Sequence, residues 1–296
     1  MKRFALVLLA TSAMSALAFQ PASAADLPPR PAPVFKAPVV VPAPVYNWTG
    51  FYIGIHGGGA WADKKWEDTS TSCIPVGGYS LISGACGDQG SHKAKGALGG
   101  GQAGFNLQAG NFVFGIEGQW SWSSLKGSNS RSVNGVINFG GGNDGLSLLT
   151  GLSTRVRDLG TIAGRLGVVV GTSGAVLLFV KGGGGFADDK FTATTTGSCD
   201  NTGNCNSNPD FTATWTGKQF RWGWMAGGGA EVKLTQNVSV KAEYNFLDLG
   251  RRDVTLTGEI CTPTCTSSSR TFSIDQNIHL FKVGLNYSFG GAAVGY

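Results

Sequence analysis

Apolar and polar residues alternate with a period of two along most of the chain beyond residue 47. The alternating runs meet at three very short turns, Ala109–Asn111, Gly171–Gly174 and Thr235–Asn237. Successive side chains leave a strand on opposite faces, so this spacing predicts β-strands. The first run opens near Trp48 and places Phe51, Ile53 and Ile55 on one face. The second covers roughly Lys95–Gln108, with Ala103, Phe105 and Leu107 opposite Gln102, Asn106 and Gln108. The third sets Phe112, Phe114, Ile116, Gly118, Trp120 and Trp122 against Gly115, Glu117, Gln119 and Ser121. The fourth ends at the Gly171 turn, with Ile162, Leu166, Val168 and Val170 opposite Arg165. The fifth is Ala175–Phe186. The sixth, Lys218–Leu234, sets Trp222, Trp224, Ala230, Val232 and Leu234 against Arg221, Glu231 and Lys233. The seventh sets Val238, Val240, Ala242, Tyr244 and Phe246 against Lys241, Glu243 and Asn245. The eighth sets His279, Phe281, Val283, Leu285, Tyr287 and Phe289 against Lys282, Asn286 and Ser288.

Between the short turns lie long polar stretches, and these contain all six cysteines. Short connections alternating with long ones between amphipathic strands predict an all-β fold: an eight-stranded antiparallel up-and-down transmembrane β-barrel. Its tight turns face the periplasm and its long loops lie outside. The stretch Val133–Leu152 is a further hairpin, either projecting above the membrane or inserted to make ten strands. Prolines support the strands. After Pro44 only Pro75, Pro209 and Pro263 remain, all in the long stretches. A closed barrel has no edge on which a residue without an N–H can hide.

Each run carries its charges on the face opposite its large apolar residues, so the apolar face meets lipid. A Lys or Arg turned to lipid at the midplane costs ~2–4 kcal/mol. That settles the fifth run, both of whose faces are apolar: Lys181 points inward, and Leu177 and Phe179 go with it. Trp120, Trp122, Trp222 and Trp224 sit where an outer aromatic girdle belongs, and Tyr287 and Phe289 at the periplasmic rim.

The N-terminus has its own logic. Lys2 and Arg3 precede the apolar Phe4–Leu17 and an A-x-A site, Ala22-Ser23-Ala24. This is the pattern of a signal peptide, residues 1–24, cleaved before Ala25. Residues 25–46 are Pro-rich, with seven prolines between Pro28 and Pro44. Such a segment favours extended polyproline II and reads as a periplasmic spacer or a ligand for the cell wall. Residues 47–296 form the barrel domain. After Leu17 no stretch has the 18 or so consecutive apolar residues that a membrane helix needs. Charged residues are only 14% of the chain, against about 25% in soluble domains. The net charge is +5, with the basic residues scattered and forming no stripe, which argues against nucleic-acid binding. Outer-membrane lipid, lipopolysaccharide and the barrel-assembly machinery are the partners expected; oligomeric state is not specified.

Counted from the short turns, Glu117, Arg165, Lys181, Glu231, Lys241, Glu243 and Lys282 all stand about four to seven residues up the wall, near one depth at ~3.4 Å per residue. Three acids and four bases then share one buried layer and must pair or be hydrated. The layer reads either as an ion-pair plug or as a gate whose partners exchange to admit small solutes. No nucleophile motif stands out. His56, His92 and His279 lack metal spacing and read as surface or rim residues. Gly99, Gly101 and Gly104 have G-x-G-x-x-G spacing without the β-α-β context that would give it meaning. No catalytic residue, metal or cofactor is expected. Each long stretch with cysteines holds two, and an exported protein meets an oxidising compartment. The pairing expected is Cys73–Cys86, Cys199–Cys205 and Cys261–Cys265.

Several segments together resemble one family. They are Asp26-Leu27-Pro28, the Pro-rich segment, Asn47-Trp48-Thr49-Gly50-Phe51-Tyr52-Ile53-Gly54, and Val283-Gly284-Leu285-Asn286-Tyr287-Ser288-Phe289. They are similar to the small outer-membrane β-barrel (porin-like, outer-membrane immunogenic) proteins of alphaproteobacteria, related to the transmembrane domain of outer membrane protein A. The resemblance implies an eight-stranded barrel with a structural or surface-antigen role and, in some members, porin activity. The alternative it raises is loop-mediated binding of a ligand such as haem, or of a host surface; His92 is the one residue here that bears on haem. Two features depart from the pattern. There is no soluble C-terminal domain for peptidoglycan, and Gly290–Tyr296 follow Phe289, where the family ends on an aromatic residue; Tyr296 can take that place.

Overall fold

The computed structural model describes residues 46–70, 87–139, 142–199, 211–262 and 264–290. Eight antiparallel strands close on themselves in sequence order: β1 (Gly50–Asp68), β2 (Gly87–Ala109), β3 (Phe112–Phe139), β4 (Gly142–Val170), β5 (Val176–Cys199), β6 (Phe211–Lys233), β7 (Val238–Thr262) and β8 (Thr264–Ser288). β1 and β8 pair from Tyr52↔Ser288 to Asp68↔Phe272, which closes the ring. Among the described residues no helix is long and apolar enough to cross a membrane. The leader, the Pro-rich segment to residue 45, Cys73, Cys86, Cys205 and residues 291–296 lie outside the described residues, as does the side chain of Cys199.

The short turns form for local reasons. Gly171 has φ 86°, a conformation that L side chains rarely adopt. The Thr235–Asn237 turn instead uses the Thr235 hydroxyl, which accepts from the amides of Asn237 (3.3 Å) and Val238 (3.0 Å). The outward face is the expected one. Phe114, Ile116, Ile162, Val180, Trp222 and Leu285 are all exposed, with Ile116 at 67%. From Phe112 to Trp122 the outward residues span ten steps, ~26 Å along the axis at ~3.4 Å per residue and ~40° tilt, close to the ~25 Å apolar band of an outer-membrane barrel. Lys181, Leu177 and Phe179 all point inward and are buried.

Several expectations need correction. The long polar stretches are largely strand, not loop. β3 and β4 run 28 and 29 residues, whereas ~9–11 cross a bilayer. Val133–Leu152 takes the first of its two expected forms: it is the top of the β3–β4 hairpin, projecting above the membrane and adding no strands to the ring. Cys261 and Cys265 lie in strands, as cross-strand neighbours. Above the membrane the polarity reverses: Thr212, Thr214 and Thr216 face water while Phe211, Ala213 and Trp215 face the lumen, so a search for an apolar face turned to lipid passes these extensions over. β1 begins at Gly50; Trp48 turns under the barrel. The basic residues are not scattered either. Five of them fall into one row across neighbouring strands, a pattern that spacing along the chain does not reveal.

Candidate functional site

The lumen is filled in layers. At the periplasmic mouth, buried Trp48 packs with Val113 and Leu177. Its indole N–H donates to the Gly174 carbonyl (2.9 Å), and the Lys233 ammonium stands 5.1 Å from its ring centroid. The backbone N–H of Tyr46 bonds to the Ser173 carbonyl (3.1 Å), tying this entry segment to the β4–β5 turn.

All seven residues of the expected charged layer point into the lumen just above, each at most 4% exposed. Glu117 and Glu243 face each other across two lysines. Lys181 reaches Glu117 (2.9 Å) and Glu243 (2.7 Å), and Lys241 does the same at 2.7 and 3.2 Å. Lys282 adds a contact to Glu243 at 3.2 Å and donates to the Gln119 carbonyl oxygen. The Gln119 amide N–H₂ donates to both carboxylates (2.8 Å each), and the Tyr52 hydroxyl donates to Glu117 (2.7 Å). Arg165 and Glu231 form a separate pair. Glu231 also accepts from Ser239 and from Asn286 (2.7 Å), and the guanidinium lies 3.8 Å from the Phe179 ring centroid. Gln102 joins the two groups by donating to Asn286 (2.6 Å) and accepting from Gln119 (3.4 Å). At about 3–5 kcal/mol to strand one buried charge, so many mutual contacts hold the layer in one arrangement.

Backbone geometry makes room for this. A Cβ on Gly229 would lie 2.2 Å from the Ala242 carbonyl oxygen and 2.9 Å from the Glu243 Cα. Only glycine lets β7, with Glu243, come so close to β6.

Beyond the charged layer lies an apolar one: Ala62, Ala94, Leu98, Leu125, Leu159 and Leu247 with their neighbours, all at most 5% exposed. Above it comes a second polar layer that the sequence reading missed. Lys64 donates to Asp189 and Gln276 (2.8 Å each), and Arg221 to Gln276 (3.0 Å) and the Ile274 carbonyl (2.7 Å). Higher still, Trp66, Phe191, Trp215 and Phe272 centre a second hydrophobic core. The signal for Lys64 was available, since it shares the even-numbered face of β1 with Tyr52 and His56, but it falls in a stretch that looked like loop.

Two of the three histidines depart from expectation, and His279 does not. His56 and His92 are lumen residues, not surface or rim ones, at 7% and 8% exposed. His92 lies in β2, not in a loop, and bonds Asn129 (3.1 Å) and Thr154 (3.2 Å). His56 Nε2 bonds Ser121 Oγ at 2.7 Å, yet its Nδ1 has no partner among the described residues. A catalytic histidine needs a third group to orient it and a path for substrate. Here the pair sits between the charged and apolar layers. His279 faces outward, stacked on Trp61 (5.2 Å between centroids). Of the expected disulfides, Cys261–Cys265 is formed; the other two lie outside the described residues.

A lipid-facing apolar band, exposed tryptophans at Trp120, Trp122, Trp222 and Trp224, and Tyr287 and Phe289 exposed at the other rim define an integral outer-membrane β-barrel. Comparison with known proteins supplies its family. The sequence profile of the outer membrane protein beta-barrel domain matches residues 4–289, and the chain belongs to that family. It is similar to the 31 kDa outer-membrane immunogenic protein of Brucella melitensis, 30% identical over 255 residues, 86% of this chain and 89% of that protein. It is also similar to the 25 kDa outer-membrane immunogenic protein of the same organism, 27% identical over 294 residues, 98% and 99% of the two chains. Among solved structures, the outer membrane protein OprG from Pseudomonas aeruginosa matches at 14% identity and TM-score 0.39, covering 82% of this chain and 98% of that one.

Proposed function

We propose that the protein is a closed-lumen barrel. It spans the outer membrane, serves the envelope structurally, and carries strand extensions and loops at the cell surface without conducting solutes. The observation that carries this reading is the stacking of Trp48, the ion-paired layer, the apolar layer and the second polar layer along one lumen. A gate is the competing reading. Lys181 and Lys241 each contact both Glu117 and Glu243, so partners could exchange. Exchange within that layer would still leave Trp48 below it and Leu98, Leu125 and Leu159 above it. The test is uptake of small sugars by proteoliposomes. A closed barrel takes them up no faster than protein-free vesicles; faster uptake, graded by solute size, contradicts it.

The Brucella relatives are named as immunogenic. For this chain the corresponding reading is surface display of the projecting β3–β4 hairpin. An antibody raised against residues 128–152 should bind intact cells; binding only after the outer membrane is permeabilised would contradict display.

A further inference from the structure

The outer surface above the membrane carries a charged feature of its own. Lys95 pairs with Lys126, Lys126 with Arg155, Arg155 with Lys190, and Lys190 with Lys218, each as a direct cross-strand neighbour. One row of five positive charges therefore crosses β2 to β6. All five side chains are exposed on the outward face. None of them is in an ion pair among the described residues, where the outward-facing contacts involve Asp63 with Lys93 and His279, and Glu67 with Arg251. Like charges directly opposite one another on a sheet are destabilising, so the row calls for counter-charge from outside the chain. The acids beside it on this face are Asp158 and Asp188, paired with each other across β4 and β5. Arg157 stands next to them at the β4 bulge. Six bases and two acids leave a net +4. The remaining strands, β7, β8 and β1, mix Asp63, Glu67, Asp253 and Asp275 with their bases and form no such row; Asp253 flanks the β6 end of the basic row, where its carbonyl accepts from Gln219 (3.2 Å).

The row has a defined height. Lys126 is four residues past Trp122. Lys190 is four past Phe186, whose ring packs on Trp120 (5.1 Å) and Trp222 (5.2 Å) in the aromatic girdle. Four residues at ~3.4 Å and ~40° tilt put the charges ~10 Å beyond the girdle, at the level of the outer leaflet's headgroups. Around the row the outward surface turns to hydroxyls. A depression of 480 Å³ is lined by Lys126, Ser128, Ser153, Arg155, Lys190 and Thr192.

We propose that this face binds the phosphorylated headgroup of an outer-leaflet glycolipid of the lipopolysaccharide type. Lys126, Arg155 and Lys190 take its phosphates, and the serine and threonine hydroxyls face its sugars. The binding follows from location in the outer membrane and does not depend on whether the lumen conducts.

The test uses the full chain folded in detergent micelles and titrated with bisphosphorylated lipid A. The wild-type protein should bind with an affinity that falls as salt rises. The triple variant Lys126→Gln/Arg155→Gln/Lys190→Gln should lose on the order of 100-fold, about fivefold per charge at ~1 kcal/mol each. Lys65→Gln on β1 should bind like wild type. Equal affinity of the triple variant and wild type would overturn the proposal. So would equal affinity for dephosphorylated lipid A, or for phosphatidylglycerol at matched charge, which would reduce the row to a general anionic contact. Should the triple variant fail to fold, the three single variants, each expected to lose about fivefold, decide the matter in the same way.

Discussion

Neutralising Glu117 tests whether the buried charges hold the wall together. Glu117 is 2% exposed and contacts Lys181, Lys241, Tyr52 and Gln119 within 2.9 Å. In Glu117→Gln the layer keeps four bases, Arg165, Lys181, Lys241 and Lys282, but only two acids, Glu231 and Glu243, so its net charge rises from +1 to +2. Glu231 is engaged by Arg165, which leaves three ammonium groups around the single carboxylate of Glu243. Removing one partner from a buried ionic group costs about 3–5 kcal/mol, against a total stability of about 5–15 kcal/mol. With a urea slope of ~2 kcal/mol/M, the unfolding midpoint should fall by ~1.5–2.5 M. The assay is urea unfolding in lipid vesicles, followed by tryptophan fluorescence. Pairing the change with Lys181→Met restores the net charge to +1 and should recover at least half of the loss through the coupling of neighbouring sites. A midpoint within ~0.3 M of wild type for Glu117→Gln would refute the reasoning, because it would mean that water already screens the layer.

The other expectations concern packing and covalent links. Gly229→Ala puts a Cβ 2.2 Å from the Ala242 carbonyl oxygen, so β6 and β7 must part. The same urea assay should show a loss of ~1–3 kcal/mol, and an unchanged midpoint would deny the close approach. A non-reduced proteolytic digest analysed by mass spectrometry should yield peptides linked through Cys73–Cys86, Cys199–Cys205 and Cys261–Cys265; peptides linked between different loops would contradict the pairing within loops. Replacing Cys261 and Cys265 by serine should raise amide exchange only near the tip of the β7–β8 hairpin, because the bond closes a loop of a few residues and constrains the unfolded chain little. Faster exchange throughout the barrel would contradict this.

The membrane-embedded half was legible because two solvents act on it at once. Lipid selects large apolar side chains on one face and the packed lumen selects polar ones on the other, so period two is strong from Phe112 to Trp122 and from Val238 to Phe246. Depth counting then placed Glu117, Lys181, Lys241, Glu243 and Lys282 together, since closely spaced turns supply a common zero. Above the membrane the outer face meets water, the polarity of the two faces reverses so that Ala213 and Trp215 point in and Thr212, Thr214 and Thr216 point out, and such short threonine-rich strands read as loop. That is why Lys64, Asp189 and Arg221 went unseen as a layer. Trp48 was assigned to a strand because its neighbours alternate, although Asn47 accepts the Thr49 amide (2.8 Å) and turns the chain under the mouth. The basic row was invisible for a different reason. Its members lie about 30 residues apart in the chain and meet only through register.

Single-channel recording in a planar bilayer tests the closed lumen most directly. Wild-type protein shown to be inserted should give a flat baseline at all voltages. Discrete, reproducible conductance steps from the wild-type chain would contradict the account and make the Glu117–Lys181–Glu243–Lys241 ring a gate.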